Sequence, residues 1–418
     1  DRIHSAKKVR ANQWQRIDWD NDGDHDLVIG QGSWDDYGWD NAWDKNGVWK
    51  NGPLHGRVFL VMNDGTDDKP EWSASRQLQA GNEPIEVYGW PSPCVADFDG
   101  DGDRDLICGE FLNRFTWFEN TGTDSQIILS RGGRLKSVGG DDREMDLQMI
   151  VPTPIDWDRD GDVDLIVGDE DGRVALIENV TKEHTAPVFR EPVYFQQQAD
   201  WLKFGALATP FCTDFDGDGD VDILCGNTAG YIGFLENQGG HPTRWSAPVL
   251  LRAGDDVLRI MAGPNGSVQG PCEARWGYTT LSAADWNGDG RTDLVVNSIW
   301  GKVVWYRNLG TGPNGLPELA PSESVTVEWP GETPKPAWTW WVPQGKELVT
   351  QWRTTPEAID FTGDGLVDLV MLDQEGYLSL FERTRAGETL QLQAPQRVFV
   401  DESGKPLRLN DGRAGKSG

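Results

Sequence analysis

The sequence predicts an all-β fold, a β-propeller of four-stranded blades, on three observations. A nine-residue acidic loop recurs six times, beginning at Asp18, Asp97, Asp156, Asp214, Asp285 and Asp360. Each copy is followed by short β-rich runs ending in polar turns, and no stretch reads as a helix. The loops start 79, 59, 58, 71 and 75 residues apart, a spacing of blades or solenoid turns rather than of close-packed stalk repeats.

The elements of each repeat come in a fixed order. A leading strand runs into the loop. The loop opens into an apolar run at 27–29, 106–108, 165–167, 223–225, 294–296 and 369–371. A second alternating run comes next at 57–63, 114–120, 173–179, 231–237, 302–308 and 377–383, and a looser third run, such as 187–195 or 245–251, often completes the set. That makes about four strands per repeat, the content of a propeller blade. The blades are expected to start near 1, 80, 140, 195, 260 and 335, within one propeller spanning 1–418. Position 2 of the loop is always aromatic (Trp19, Phe98, Trp157, Phe215, Trp286, Phe361), which suggests wedges between neighbouring blades.

The loop itself is a cage of oxygens for a hard cation. The first copy offers Asp18, Asp20, Asp22, Asp24 and Asp26 at positions 1, 3, 5, 7 and 9. The second offers Asp97, Asp99, Asp101, Asp103 and Asp105, and the third Asp156, Asp158, Asp160, Asp162 and Asp164. The fourth has Asp214, Asp216, Asp218, Asp220 and Asp222. The fifth softens to Asp285, Asn287, Asp289, Arg291 and Asp293, and the sixth to Asp360, Thr362, Asp364, Leu366 and Asp368. Because position 7 changes from Asp to Arg and Leu, its donor is expected to be the backbone carbonyl. Position 6 is always glycine, as a sharp turn around an ion requires. All-oxygen cages of this kind suit Ca²⁺. An EF-hand is excluded, because position 12 is apolar or Cys (Ile29, Cys108, Val167, Cys225, Val296, Met371) instead of glutamate.

These loops and their spacing resemble the FG-GAP or VCBS repeat family, which includes integrin α-subunit heads and many secreted bacterial proteins. The Phe-Gly and Gly-Ala-Pro signature is not evident, so the resemblance is to the bacterial VCBS branch. It implies a seven-bladed ring. With six loops, and only 58 residues after the last loop begins, the chain is expected to be part of a seven-bladed parent.

Composition narrows the partners. The net charge of −30 argues against nucleic acid and anionic membrane surfaces, even with Ca²⁺ offsetting part of it. No apolar stretch approaches the roughly 20 residues of a membrane-spanning helix. Weak, partly exposed calcium sites fill at extracellular calcium levels, so a secreted, periplasmic or cell-surface location is expected, as a monomer. Five cysteines cannot all pair within the chain. Cys94/Cys108 and Cys212/Cys225 flank loops on adjacent strands, and free thiols are expected there.

Function is expected on the face opposite the loops, where strands enter and leave. Those ends carry Tyr88, Trp90, Arg275, Tyr278, Trp352 and Arg353, and then Glu110, Asp169, Asn227 and Asn297. Insertions add His55 and the tryptophans Trp34, Trp39, Trp43, Trp49, Trp338, Trp340 and Trp341, within a total of 21 tryptophans. Aromatic faces flanked by polar groups compose a sugar site. Arg275 and Arg353 could fork onto a uronate carboxylate. Catalysis by a lyase would draw on Tyr88, Tyr278, Arg275, Arg353 and His55. Substrate contacts would fall to Trp90, Glu110, Asp169, Asn227, Asn297 and Trp352. The expected partner is a polysaccharide, acidic in the leading reading, cleaved by a lyase or hydrolase. The alternative is a non-catalytic adhesion propeller with a protein ligand.

Overall fold

Each acidic loop becomes the hairpin that joins the first two strands of an antiparallel sheet. In the computed structural model, which describes residues 9–38, 42–182, 185–196, 202–335, 341–387, 389–401 and 403–409, six such sheets succeed one another. Trp39, Trp338 and Trp340 lie outside the described residues. The ninth loop residue always starts the second strand and pairs with the last residue of the first: Ile17 with Asp26, Ala96 with Asp105, Ile155 with Asp164, Thr213 with Asp222, Ala284 with Asp293 and Ile359 with Asp368. The chain is all-β and propeller-like in this repeated unit. Among the described residues its one short helical turn is the 3₁₀ segment Pro271–Glu273.

The chain forms two compact units. The first, Asp1–Trp39 with Asn51–Gln198, holds three sheets whose leading strands are Val9–Ile17, Ser92–Ala96 and Val151–Ile155. The second, Asp40–Lys50 with Ala199–Gly418, holds those led by Thr209–Thr213, Thr280–Ala284 and Glu357–Ile359. Five of the sheets run four strands in chain order, the first with an added strand (Glu86–Tyr88) against its third. The sixth has three named strands, and a single bridge from Leu380 to Gln396 stands where the fourth strand would be.

Alternation of apolar residues gives each sheet two packed faces, so the cores lie between consecutive sheets. Trp19 packs with Val95, Leu106 and Cys108 of the second sheet, and Phe98 with Leu165, Val167 and Ile177 of the third. Phe215 and Trp286 repeat this one sheet further on in the second unit. Four of the six loop aromatics are therefore wedges. Trp157 and Phe361 differ: each is 48% exposed and meets one ring, Phe195 or Phe399. Each sits on the last of its unit's loop-hairpin sheets, and among the described residues no later one of that kind in the unit receives it. All five thiols are free, Cys212 exposed and the others buried, and burial pushes Cys94, Cys108 and Cys225 above the usual thiol range.

Candidate functional site

The loops are closed by their own aspartates. The first carboxylate receives the turn: Asp18 accepts the N–H of Asp22 and of Gly23, both at 3.1 Å, and Asp97, Asp214, Asp285 and Asp360 each accept the N–H of the glycines at positions 4 and 6 of their loops. Glycine at position 6 sits at φ between +84° and +101°, a region a side chain strains to reach. The ninth carboxylate clamps the hairpin from inside. Asp222 accepts the N–H of Phe215 at 3.1 Å and of Asn237 at 2.9 Å, and Asp26, Asp105, Asp164 and Asp368 hold equivalent pairs.

The same loops can hold a metal ion. Asp18, Asp20 and Asp22 bring one oxygen each within 4.8 Å of one another, as do Asp97, Asp99 and Asp101, Asp156, Asp158 and Asp164, and Asp214, Asp216 and Asp218. Buried oxygens of Asp20, Asp103, Asp162 and Asp293 have no hydrogen-bond partner. Burial, reinforced by neighbouring carboxylates, pushes Asp103 and Asp293 up to about 6 and Asp105 and Asp162 up to about 7. A hard cation would relieve both the orphaned oxygens and the repulsion, so the donor set fits one. Position 7 is used variously. Asp103 and Asp162 turn inward, Asp24 accepts the N–H of Asp67 at 2.9 Å, and Arg291 reaches the Asn308 carbonyl at 2.9 Å.

At the opposite strand ends the first unit gathers several of the sequence-predicted residues. His55 and Tyr88 are cross-strand neighbours. The His55 ring is held on both sides, by Glu86 at Nδ1 and by Asp36 at Nε2 (2.8 Å). Burial disfavours its charge, but the bonds to Glu86 and Asp36 outweigh this and raise its pKa. With both nitrogens donating to carboxylates, the ring has no lone pair to act as a base. Glu86, Tyr88 and Glu110 line one cleft of about 300 Å³ with Thr116 and Arg134. Glu110 is buried and accepts from both of the latter. Trp90 stands 6.3 Å from Phe111, which meets Trp34 at 5.9 Å. Asp169 is occupied in a turn, accepting the N–H of Asp171 and Arg173 and pairing with the Arg173 guanidinium.

In the second unit Arg353 lies between two rings, 3.5 Å over Tyr278 and 4.1 Å over Trp352, and Trp276 meets Tyr278 edge-on at 5.5 Å. The guanidinium is paired with Glu273, a fully buried carboxylate that also accepts from Ser267. Trp43 donates to the Ser267 carbonyl at 2.6 Å and meets Trp49 edge-on. Arg275 is half-buried, just after the turn Pro271–Glu273. Asn227 caps a turn through the N–H of Tyr231, and Asn297 ties to the next sheet through Thr354.

Two structural devices recur outside the loops, and the first carries no shared residue chemistry in the sequence. Seven residues before each of the last four loops stands a left-handed residue, Met149, Leu207, Tyr278 or Arg353, with φ between +48° and +57° for Leu207, Met149 and Arg353 and +45° for Tyr278. Three of them donate their N–H to the preceding sheet: Met149 to Phe111, Tyr278 to Thr228 and Arg353 to Ser298. The strain at Tyr278 and Arg353 is thus part of the repeat. The second device stands fifteen residues after the ninth aspartate. Asn179 and Asn308 there donate to the carbonyls of Phe98 and Phe215 in the preceding sheet, and Arg383 does so to Trp286. Glu273 and Asp36, the acids that neutralise Arg353 and His55, carried no motif.

The FG-GAP-like repeat family matches residues 285–371. Solved structures with similar arrangements include the fucose-specific lectin of Aleuria aurantia, 11% identical over 93% of this chain and 95% of that one, with a TM-score of 0.24. The periplasmic gluconolactonase PpgL of Pseudomonas aeruginosa is 12% identical over 89% and 81%, with a TM-score of 0.22. The Tc holotoxin pore of Photorhabdus luminescens is 15% identical over 72% of this chain, which spans 15% of that one, with a TM-score of 0.23. No curated protein sequence matches the chain.

Proposed function

We propose that the chain is a calcium-stabilised repeat protein of the VCBS kind that works outside the cytoplasm and binds a glycan without cleaving it. One observation carries this reading: Tyr278, Arg353 and Trp352 form a preorganised aromatic platform whose cation is already neutralised by Glu273. A stacked, half-buried aromatic surface offers faces to sugar C–H groups. The groups a lyase would need are committed, His55 to two carboxylates and Arg353 to one. Calcium is the cation of choice because the donors are carboxylates in open loops, and Asp22, Asp101 and Asp218 are exposed enough for weak, extracellular filling.

The cleft shared by Tyr88, Glu86 and Glu110 supports a second, enzymatic reading. One experiment separates them. The protein is incubated with uronic-acid and neutral polysaccharides in millimolar calcium. Unsaturated product at 235 nm, reducing ends and retention on the immobilised polymer are monitored together. Retention without product, weakened at least tenfold by Trp352→Ala, is expected. Product formation in either channel would overturn the non-catalytic reading, and no retention on any polymer would overturn glycan binding.

A further inference from the structure

Five of the six repeats place asparagine fifteen residues after the second strand begins, or at the equivalent end of the third strand: Asn63, Asn120, Asn179, Asn237 and Asn308. The sixth places Arg383 there. It keeps the work of Asn179 and Asn308, donating through Nη1 to the Trp286 carbonyl at 3.1 Å as they do to Phe98 and Phe215. It also adds a charge. The residue is only 5% exposed, its guanidinium lies 3.5 Å over the Trp286 ring, and its Nε has no hydrogen-bond partner. The nearby Asp368 carboxylate already accepts three backbone N–H groups, from Phe361, Thr362 and Arg383 itself. A buried cation held by the field of Asp368 and the Trp286 face, with its Nε–H unmet, is costly, and a ligand anion would complete it.

Arg383 lines a cleft of about 300 Å³ together with Trp286, Trp305, Asn287 and Thr326. Trp305 is half-buried, and Glu323, exposed, is the one acid among the lining residues. We propose that this cleft is a binding site for an acidic sugar, its carboxylate received by the Arg383 guanidinium and its ring lying against Trp305. Arginine's planar fork suits a carboxylate, and an indole suits a pyranose face. The site is separate from the Tyr278–Arg353–Trp352 platform, so either can fail without the other.

The test is calorimetric titration of the whole protein, in millimolar calcium, with sodium galacturonate, galactose and sodium sulfate. Galacturonate is expected to bind, with galactose at least tenfold weaker. Arg383→Asn restores the residue of the other five repeats and keeps the bond to the Trp286 carbonyl. It should fold normally and lose at least tenfold in galacturonate affinity. If Arg383→Asn does not fold, Trp305→Leu replaces it with the same expected loss. The proposal is overturned if galacturonate gives no heat, if galactose or sulfate binds as tightly, or if the variant that folds binds galacturonate like the parent.

Discussion

A single aspartate in these loops does one of two jobs, and the difference is measurable. Asp222 is fully buried and holds the N–H groups of Phe215 and Asn237, whereas the Asp20 carboxylate has a buried oxygen with no partner and faces Asp18 and Asp22. Replacing Asp222 by Ala orphans two buried donors, at about 1–3 kcal/mol each. Urea unfolding should therefore show a loss of about 2–6 kcal/mol that persists in chelator. Asp20→Ala should cost stability only when calcium is present, and equal costs for both variants in chelator would refute the division. His55 gives a residue-scale pH dependence. Its folded pKa is raised by Glu86 and Asp36, so the stability it contributes is complete below the unfolded value near 6.5 and is lost as pH rises through the folded value. Urea unfolding at pH 6 and pH 8 should show a wild-type advantage over His55→Gln that shrinks at the higher pH. An advantage that grows would contradict the clamp.

At the scale of the element, the repeated sheet was legible because one loop encodes three things at once. Its glycine forces the turn, its ninth aspartate marks the start of the second strand, and its aromatic second residue marks the packed face. Trp19, Phe98, Phe215 and Trp286 were readable as wedges for that reason. Trp157 and Phe361 were not distinguishable from them, since exposure depends on whether the unit holds another sheet to cover the ring. The opposite ends were less legible. Asp169 and Asn227 looked like ligands by composition but close turns, because Asp and Asn compete for local backbone N–H groups wherever the chain reverses. The left-handed position occupied by Met149, Leu207, Tyr278 and Arg353 has no residue type in common, so no pattern announced it. Glu273, which pairs with the Arg353 guanidinium, lies 80 residues away in sequence. The wedge itself yields a prediction. Phe98 is 1% exposed against Leu165, Val167 and Ile177, so Phe98→Ala should cost about 3–5 kcal/mol in urea unfolding. Trp14, 64% exposed, should tolerate alanine with a change within about 0.5 kcal/mol, and a Phe98→Ala effect that small would remove the wedge from the account.

The whole molecule carries a net charge of −30, and the loops concentrate much of it. Without a cation, Asp103 and Asp293 are pushed up to about 6 and Asp105 and Asp162 to about 7, first by burial and then by their acidic neighbours. A carboxylate whose folded pKa exceeds its unfolded value near 4 binds its proton more tightly when folded. Its ionisation therefore opposes folding as pH rises through 6 to 7, and protonation favours folding below that. A cation removes the same repulsion from the other side. At a tenfold excess over Kd, one ion stabilises by about 1.4 kcal/mol, so the four carboxylate clusters together contribute about 6 kcal/mol. Chelation at pH 7.5 should lower Tm by on the order of 10 °C. Acidifying the chelated protein from pH 7.5 to 5.5 should then raise its Tm, while the calcium-loaded protein loses stability over the same interval because protons displace the ion. The two melting temperatures should converge as pH falls. Parallel curves, or a Tm unmoved by chelator at pH 7.5, would mean that the acidic loops are stabilised by their own hydrogen bonds alone.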